Sequence, residues 1–110
     1  MTRLATAHVP IGALDRLFVL ETPLETPDGF GGVIRAHAAG PQLWGAIRAL
    51  SARRPREPGG ATHQVTLRWC EGVDDRARLR LGARRFLIRS AEDPDGRRGR
   101  LVCLVEEIAP

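Results

Sequence analysis

The sequence predicts an all-β protein: a small single-domain barrel of about six or seven mainly antiparallel strands, with one long charged loop. Three observations carry this reading. Between residues 61 and 107 apolar and polar residues alternate with a period of two, the signature of strands with one buried face. Strong turn sequences separate the alternating runs. A meander of such strands must find a second layer or close on itself to hide its apolar face.

Taken in order, residues 1–13 read as a loose N-terminal arm, with Ile11-Gly12-Ala13-Leu14 a short turn or helical stub. The first strand spans residues 15–21. Leu17 and Val19 fall on one face and Phe18 and Leu20 on the other, so both faces are expected to be covered. Residues 22–32, rich in proline and glycine, read as a turn-rich connection. Residues 33–38 form a weak strand and 42–50 a stronger one, joined as a hairpin through Ala39-Gly40-Pro41. Residues 51–61 carry no apolar period and read as a mobile, charged loop. Val65, Leu67 and Trp69 alternate in the next strand, and Ala77, Leu79 and Leu81 alternate with Arg76, Arg78 and Arg80 in the one after. Leu81-Gly82-Ala83-Arg84 turns that strand into residues 85–89. Asp93-Pro94-Asp95-Gly96 is turn chemistry, because proline presets one dihedral and glycine supplies positive φ, and residues 100–107 return as a last strand. The expected interior joins Val65, Leu67, Leu79, Leu81, Phe86 and Ile88. Trp44 and Trp69, beside small and apolar neighbours, are also expected in the core.

Length and composition bound the function. A chain of 110 residues makes one domain, and 43% apolar with 27% charged residues is ordinary for a soluble globular protein. The net charge of +4 comes from 17 basic residues that are all arginine. With 12 glycines and 8 prolines, the absence of lysine reads as the mark of a GC-rich coding sequence, which weakens the case for a dedicated nucleic-acid reader. Cys70 and Cys103 read as buried free thiols of a reducing compartment. His8, His37 and His63 are scattered, so neither a metal nor another cofactor is expected. There is no apolar leader before Pro10 and no membrane-spanning run.

No enzymatic constellation emerges. Asp74-Asp75 and Glu106-Glu107 are sequence neighbours, and neighbours in a strand point to opposite faces, so neither doublet is a catalytic pair. Glu106 or Glu107 is expected to meet an arginine across a strand or an interface. Asp28-Gly29-Phe30-Gly31-Gly32 has neither a lysine nor a following helix, which argues against a phosphate cradle. The arginines of residues 76–80 read either as a solvated strand face or as a contact to a subunit or to DNA.

Several stretches together resemble the phage head-tail joining proteins, the head-closure or stopper and adaptor proteins also found in prophages and gene transfer agents. They are Asp15-Arg16-Leu17-Phe18-Val19-Leu20-Glu21-Thr22-Pro23, the Asp28–Gly32 turn, Leu43-Trp44-Gly45-Ala46-Ile47, Thr62-His63-Gln64-Val65-Thr66-Leu67-Arg68, Arg78-Leu79-Arg80, Arg85-Phe86-Leu87-Ile88 and Asp93-Pro94-Asp95-Gly96-Arg97-Arg98. The chain lacks the family's tryptophan near residues 36–39, and the arginine-rich residues 51–60 stand where the family carries an S-G-x-E segment. The resemblance implies a homo-oligomeric ring, hexamer or dodecamer, in the head-tail neck of a virion or virus-like particle assembled in the bacterial cytoplasm. Its partners would be a portal or adaptor protein, a tail terminator or other tail protein, and double-stranded DNA passing without sequence specificity; no membrane is involved. Arg53, Arg54 and Arg56 then become a DNA or docking loop, and Arg76, Arg78, Arg80, Arg97, Arg98, Glu106 and Glu107 a subunit interface. The competing reading is a small OB-like nucleic-acid-binding barrel, for which 5% aromatics without tyrosine is a poor supply of stacking surfaces.

Overall fold

The computed structural model describes residues 13–50 and 60–108. They form six strands: β1 (Arg16–Pro27), β2 (Val33–Ala49), β3 (His63–Arg68), β4 (Arg78–Leu81), β5 (Arg84–Glu92) and β6 (Arg100–Ile108). The order β1-β2-β3-β6-β5-β4 closes into a barrel in which every neighbouring pair is antiparallel. Period-two alternation sends one side of each strand inward. Phe18 and Leu20, Leu43, Val65 and Leu67, Leu79, Phe86 and Ile88, and Leu101, Cys103 and Val105 fill the interior, as the narrow lumen of a small barrel requires. Burial pushes the Cys103 thiol up to about 12, which leaves it an inert core group. Cys70 is a half-buried free thiol.

The expected interior residues Val65, Leu67, Leu79, Phe86 and Ile88 are all buried, and Leu81 packs against them from the margin. Elsewhere the first half of the chain departs from expectation. β1 runs six residues past Glu21, through most of the stretch that reads as a connection. The residues at 33–49 are one 17-residue strand, not two strands and a hairpin. The reversal lies at residues 28–32, where the Asp28 carboxylate accepts the Phe30 and Gly32 amides at 2.7 and 3.0 Å and Gly29 and Gly31 adopt φ of 83° and 85°. The Gly40-Pro41 dipeptide makes a bulge instead of a turn: the register steps from Val19↔Gln42 to Glu21↔Ala39, so two residues of β2 oppose Leu20. A Cβ at Gly40 would stand 2.9 Å from the Leu20 carbonyl oxygen, which is why glycine occupies this close approach.

Two further expectations are corrected. The Phe18/Leu20 face of β1 is buried, but the other face is covered only in part: Leu17 is 38% exposed and Val19 half-buried, with Glu21 alone buried there. Trp44, directly opposite Leu17, is 50% exposed on the outer wall, whereas Trp69 packs against the core. The expected N-terminal arm (apart from Ala13) and residues 51–59 of the expected loop lie outside the described residues; Gly60 and Ala61 at the loop's end are half-buried.

This core assignment predicts that Leu79→Ala lowers stability by about 2–5 kcal/mol in urea unfolding, as large-to-small changes in a packed interior do. Leu24→Ala, half-exposed on β1 beyond the barrel, should stay within about 0.5 kcal/mol of wild type. Equal losses for the two would reverse the assignment of interior and surface.

Candidate functional site

The antiparallel strands, with β3 crossing over to β4 past β6 and β5, give the barrel two differently furnished ends. At one end lie the Leu81–Arg84 turn, the C-terminus of β2, the start of β3 and the end of β6. Residues 51–59 enter and leave here, next to the Leu50 amide bonded to the Thr62 carbonyl at 3.0 Å. At the other end lie the 69–77 connection, the 93–99 turn and the extension of the β1–β2 hairpin. The predicted loop residues Arg53, Arg54 and Arg56 belong to a segment outside the described residues. It connects at the end opposite Arg76, Arg97 and Arg98.

Most of the predicted interface residues have partners inside the subunit. Arg78 reaches across the β1–β4 pair to Glu21, 2.7 Å away, with both side chains largely covered. Arg76 bonds Asp74 at 2.9 Å on the surface, a hydrogen bond that holds the Asp74 carboxyl below the usual carboxylate range. Glu106 pairs with Arg89 and Glu107 with Arg84 at 2.8 Å, both between β5 and β6. The expected meeting of these carboxylates with arginines is thus made across a strand. Arg98, at φ 58°, donates its amide to Asp93 and lays its guanidinium 5.1 Å from the centre of the Trp69 ring. Arg80 is exposed and makes no ion pair with another described residue.

Sequence reasoning does not single out the group around His63. Its ring meets the Phe86 ring edge-on at 5.5 Å, its Nδ1 lies 2.8 Å from the Thr62 hydroxyl, and the Arg84 guanidinium lies over the Phe86 ring, 5.1 Å from its centroid. The Thr62 hydroxyl also accepts the Glu107 amide at 2.8 Å, tying the approach to β3 onto β6. These contacts lock one end of the barrel. The Arg84 guanidinium, at 2.8 and 3.1 Å, holds the Glu107 carboxyl below its ordinary range. Among the described residues no three His, Cys, Asp or Glu side chains are grouped to hold a metal ion.

The other unforeseen feature is the hairpin arm beyond Glu21. Opposed residues of an antiparallel pair share a face. One face therefore carries Thr22/Ala38, Leu24/Ala36 and Thr26/Ile34, with no charge. The other carries Pro23/His37, Glu25/Arg35 and Pro27/Val33, including a Glu25–Arg35 pair at 3.3 Å. His37 Nε2 lies 3.3 Å from the Arg76 carbonyl and steadies the root. The bond from the Asp28 amide to the Gly32 carbonyl sets the ladder alternation, which turns the backbone positions of Pro23, Glu25 and Pro27 to the outer edge of β1. Both prolines sit where the ladder needs no N–H, and they blunt that edge. Leu24, Phe30 and Ile34 are 50%, 94% and 58% exposed.

The geometry is thus a closed six-stranded barrel, most of whose expected interface charges are paired within the subunit, with an arm projecting beyond its rim. The chain belongs to the phage head completion protein family, whose sequence profile matches residues 9–108, and it is accordingly a structural head-closure protein. It is similar to a chain in the virion of a native gene transfer agent particle, with 27% identity and a TM-score of 0.63 over 87% of this chain and 96% of that one. The fold is shared with protein SF1141 from Shigella flexneri 2a, at 21% identity and a TM-score of 0.71 over 92% of this chain and 98% of that one. No curated protein matches.

The Arg84–Glu107 contact has a pH signature. A carboxylate whose folded pKa is depressed contributes stability that is fully present above its unfolded value, near 4.5, and is lost as pH falls through the folded value. Melting temperature should therefore drop below about pH 4.5 in wild type and drop less steeply in Glu107→Gln, the remaining slope coming from Asp74 and Asp95, whose pKa values are lowered too. Identical acid slopes for the two proteins would remove Glu107 from this account.

Proposed function

We propose that this protein forms a homo-oligomeric ring, of six or twelve copies, at the head-tail junction of a virion or virus-like particle assembled in the bacterial cytoplasm. The ring joins a portal or adaptor protein on one side to a tail protein on the other and helps retain the packaged double-stranded DNA. The observation that carries this reading is the family match over residues 9–108, supported by the similarity to a gene transfer agent virion chain across 96% of that chain. The two unlike barrel ends suit a part that meets different neighbours on its two sides.

Within this reading the interface residues divide by what already holds them. Arg80 and Arg97 are exposed and can face acidic groups of a neighbour, whereas Arg76, Arg78, Glu106 and Glu107 first hold their own subunit together. Arg53, Arg54 and Arg56 supply three guanidinium groups per copy in the segment that joins β2 to β3. Multiplied around a ring, they grip phosphates without reading bases, or else they dock a neighbouring protein. The OB-like alternative gains nothing from the exposed aromatics, since Phe30 stands at the arm tip and Trp44 on the barrel wall, apart from one another.

Replacing Arg53, Arg54 and Arg56 together with serine separates the two roles. If the segment grips DNA, heads and tails join but the particles lose DNA faster, most clearly at raised salt, because phosphate contacts are screened. If it docks a neighbour, joining fails. Wild-type joining with wild-type DNA retention removes both roles from these arginines, and particles that assemble fully without the protein would overturn the connector function itself.

A further inference from the structure

Two apolar patches on this chain have no partner among the described residues, and they lie on opposite faces of the same two strands. Leu17 and Trp44 are directly opposed on the outer wall of the barrel, 38% and 50% exposed. Leu24, Ala36 and Ile34 lie on the uncharged face of the arm, with Phe30 at its tip. Counting along β1, Phe18 and Leu20 point inward, so Leu24 continues the inward face past the rim, whereas Leu17 points outward. The wall patch and the arm patch of one molecule therefore cannot meet. Unlike patches facing opposite ways on one subunit are what a head-to-tail contact between identical chains requires.

We propose that the β1–β2 arm of one subunit packs its uncharged face, Leu24, Ala36 and Ile34 with Phe30 at the tip, on the Leu17–Trp44 wall of a second copy of this chain. The proposal rests on the ring reading and names its lateral contact. The charge distribution favours it: the three strand pairs on the face offered carry no charge, the Asp28 carboxylate at the turn being folded back onto the Phe30 and Gly32 amides, while the Glu25–Arg35 pair occupies the opposite side of the arm. Pro23 and Pro27 on the outer edge of β1 discourage arms from stacking on one another along that edge. The contact area sets the behaviour of the free protein. A stable pairwise interface covers roughly 800 Å² per partner, and aromatic side chains bury roughly 150–250 Å² each. A few half-exposed side chains fall short of that, so two free copies associate weakly, and the contact persists where every copy both gives an arm and receives one in a closed ring.

The test uses full-length protein in assembled particles. Ile34 is replaced by the photo-crosslinking residue p-benzoylphenylalanine, the particles are irradiated, and the adduct is mapped by mass spectrometry, while electron microscopy of the same particles records whether a ring occupies the neck. Expected is a chain-to-chain adduct joining position 34 to the peptide that contains Leu17 or Trp44. An adduct to another arm, or to a portal or tail protein, overturns the proposal, and so does the absence of any adduct in particles whose neck holds a ring; in each case the ring reading stands. A neck without a ring overturns the ring reading and this contact with it. Ile34→Asp supplies the second measurement. Its melting temperature should match wild type, because the residue lies outside the barrel, while its incorporation into particles falls at least tenfold. Wild-type incorporation of this variant would also overturn the contact.

Discussion

Closure of the barrel rests on one short seam, where Val19, Leu20 and Glu21 pair with Arg80, Leu79 and Arg78. The seam works on both faces of the sheet. Inside, Leu20 and Leu79 meet in a fully dry core; outside, Glu21 and Arg78 form the best-covered ion pair in the described structure. Without it β1 and β4 would be sheet edges, with unpaired backbone groups open to any passing strand. The seam also fixes the parity of β1. Once Leu20 is turned inward, Leu17 must face out and Leu24 must lie on the inner side of the arm, so the placement of both apolar patches follows from these three residue pairs.

The second half of the chain was legible because local and tertiary signals agree there. Alternation in residues 63–68 and 78–88 names the buried apolar side chains, though Gln64 and Thr66 on the other face of β3 are buried as well, and Gly82 and Gly96 mark reversals that the chain makes. The first half misleads because the same residue types serve two purposes. Proline and glycine between residues 22 and 41 read as turn signals, yet Pro23 and Pro27 sit on a free edge where no N–H is needed, and Gly40-Pro41 forms a bulge whose reason is the Leu20 carbonyl beside it. Only pairing across strands distinguishes these cases, and pairing is not a property of a single stretch of sequence.

The arginines show the same limit from the other side. Alternation in residues 76–80 correctly keeps their side chains out of the core, but the partners that decide their roles are not read from it: Asp74 meets Arg76 through a local turn, and Glu21 meets Arg78 through the register of β1 against β4. The meeting of Glu106 and Glu107 with arginine could be anticipated from charge; that Arg89 and Arg84 supply it depends on how β5 lies against β6. His63 had no signal of its own, since beside the hydroxyl of its neighbour Thr62 it becomes part of a lock only when an aromatic ring from β5 and an ion pair between β5 and β6 arrive around it.

β2 has a mechanical meaning as well. Seventeen residues at about 3.3 Å each make a rod of roughly 55 Å, comparable with the 50 Å long axis of the molecule. One rod thus runs from the arm tip to Ala49, two residues before the arginine-bearing segment, and its single weak point is the bulge at Gly40-Pro41. The bulge divides β2 into an arm segment paired with β1 alone and a wall segment that β3 also binds, so arm and barrel wall are two parts of one continuous strand.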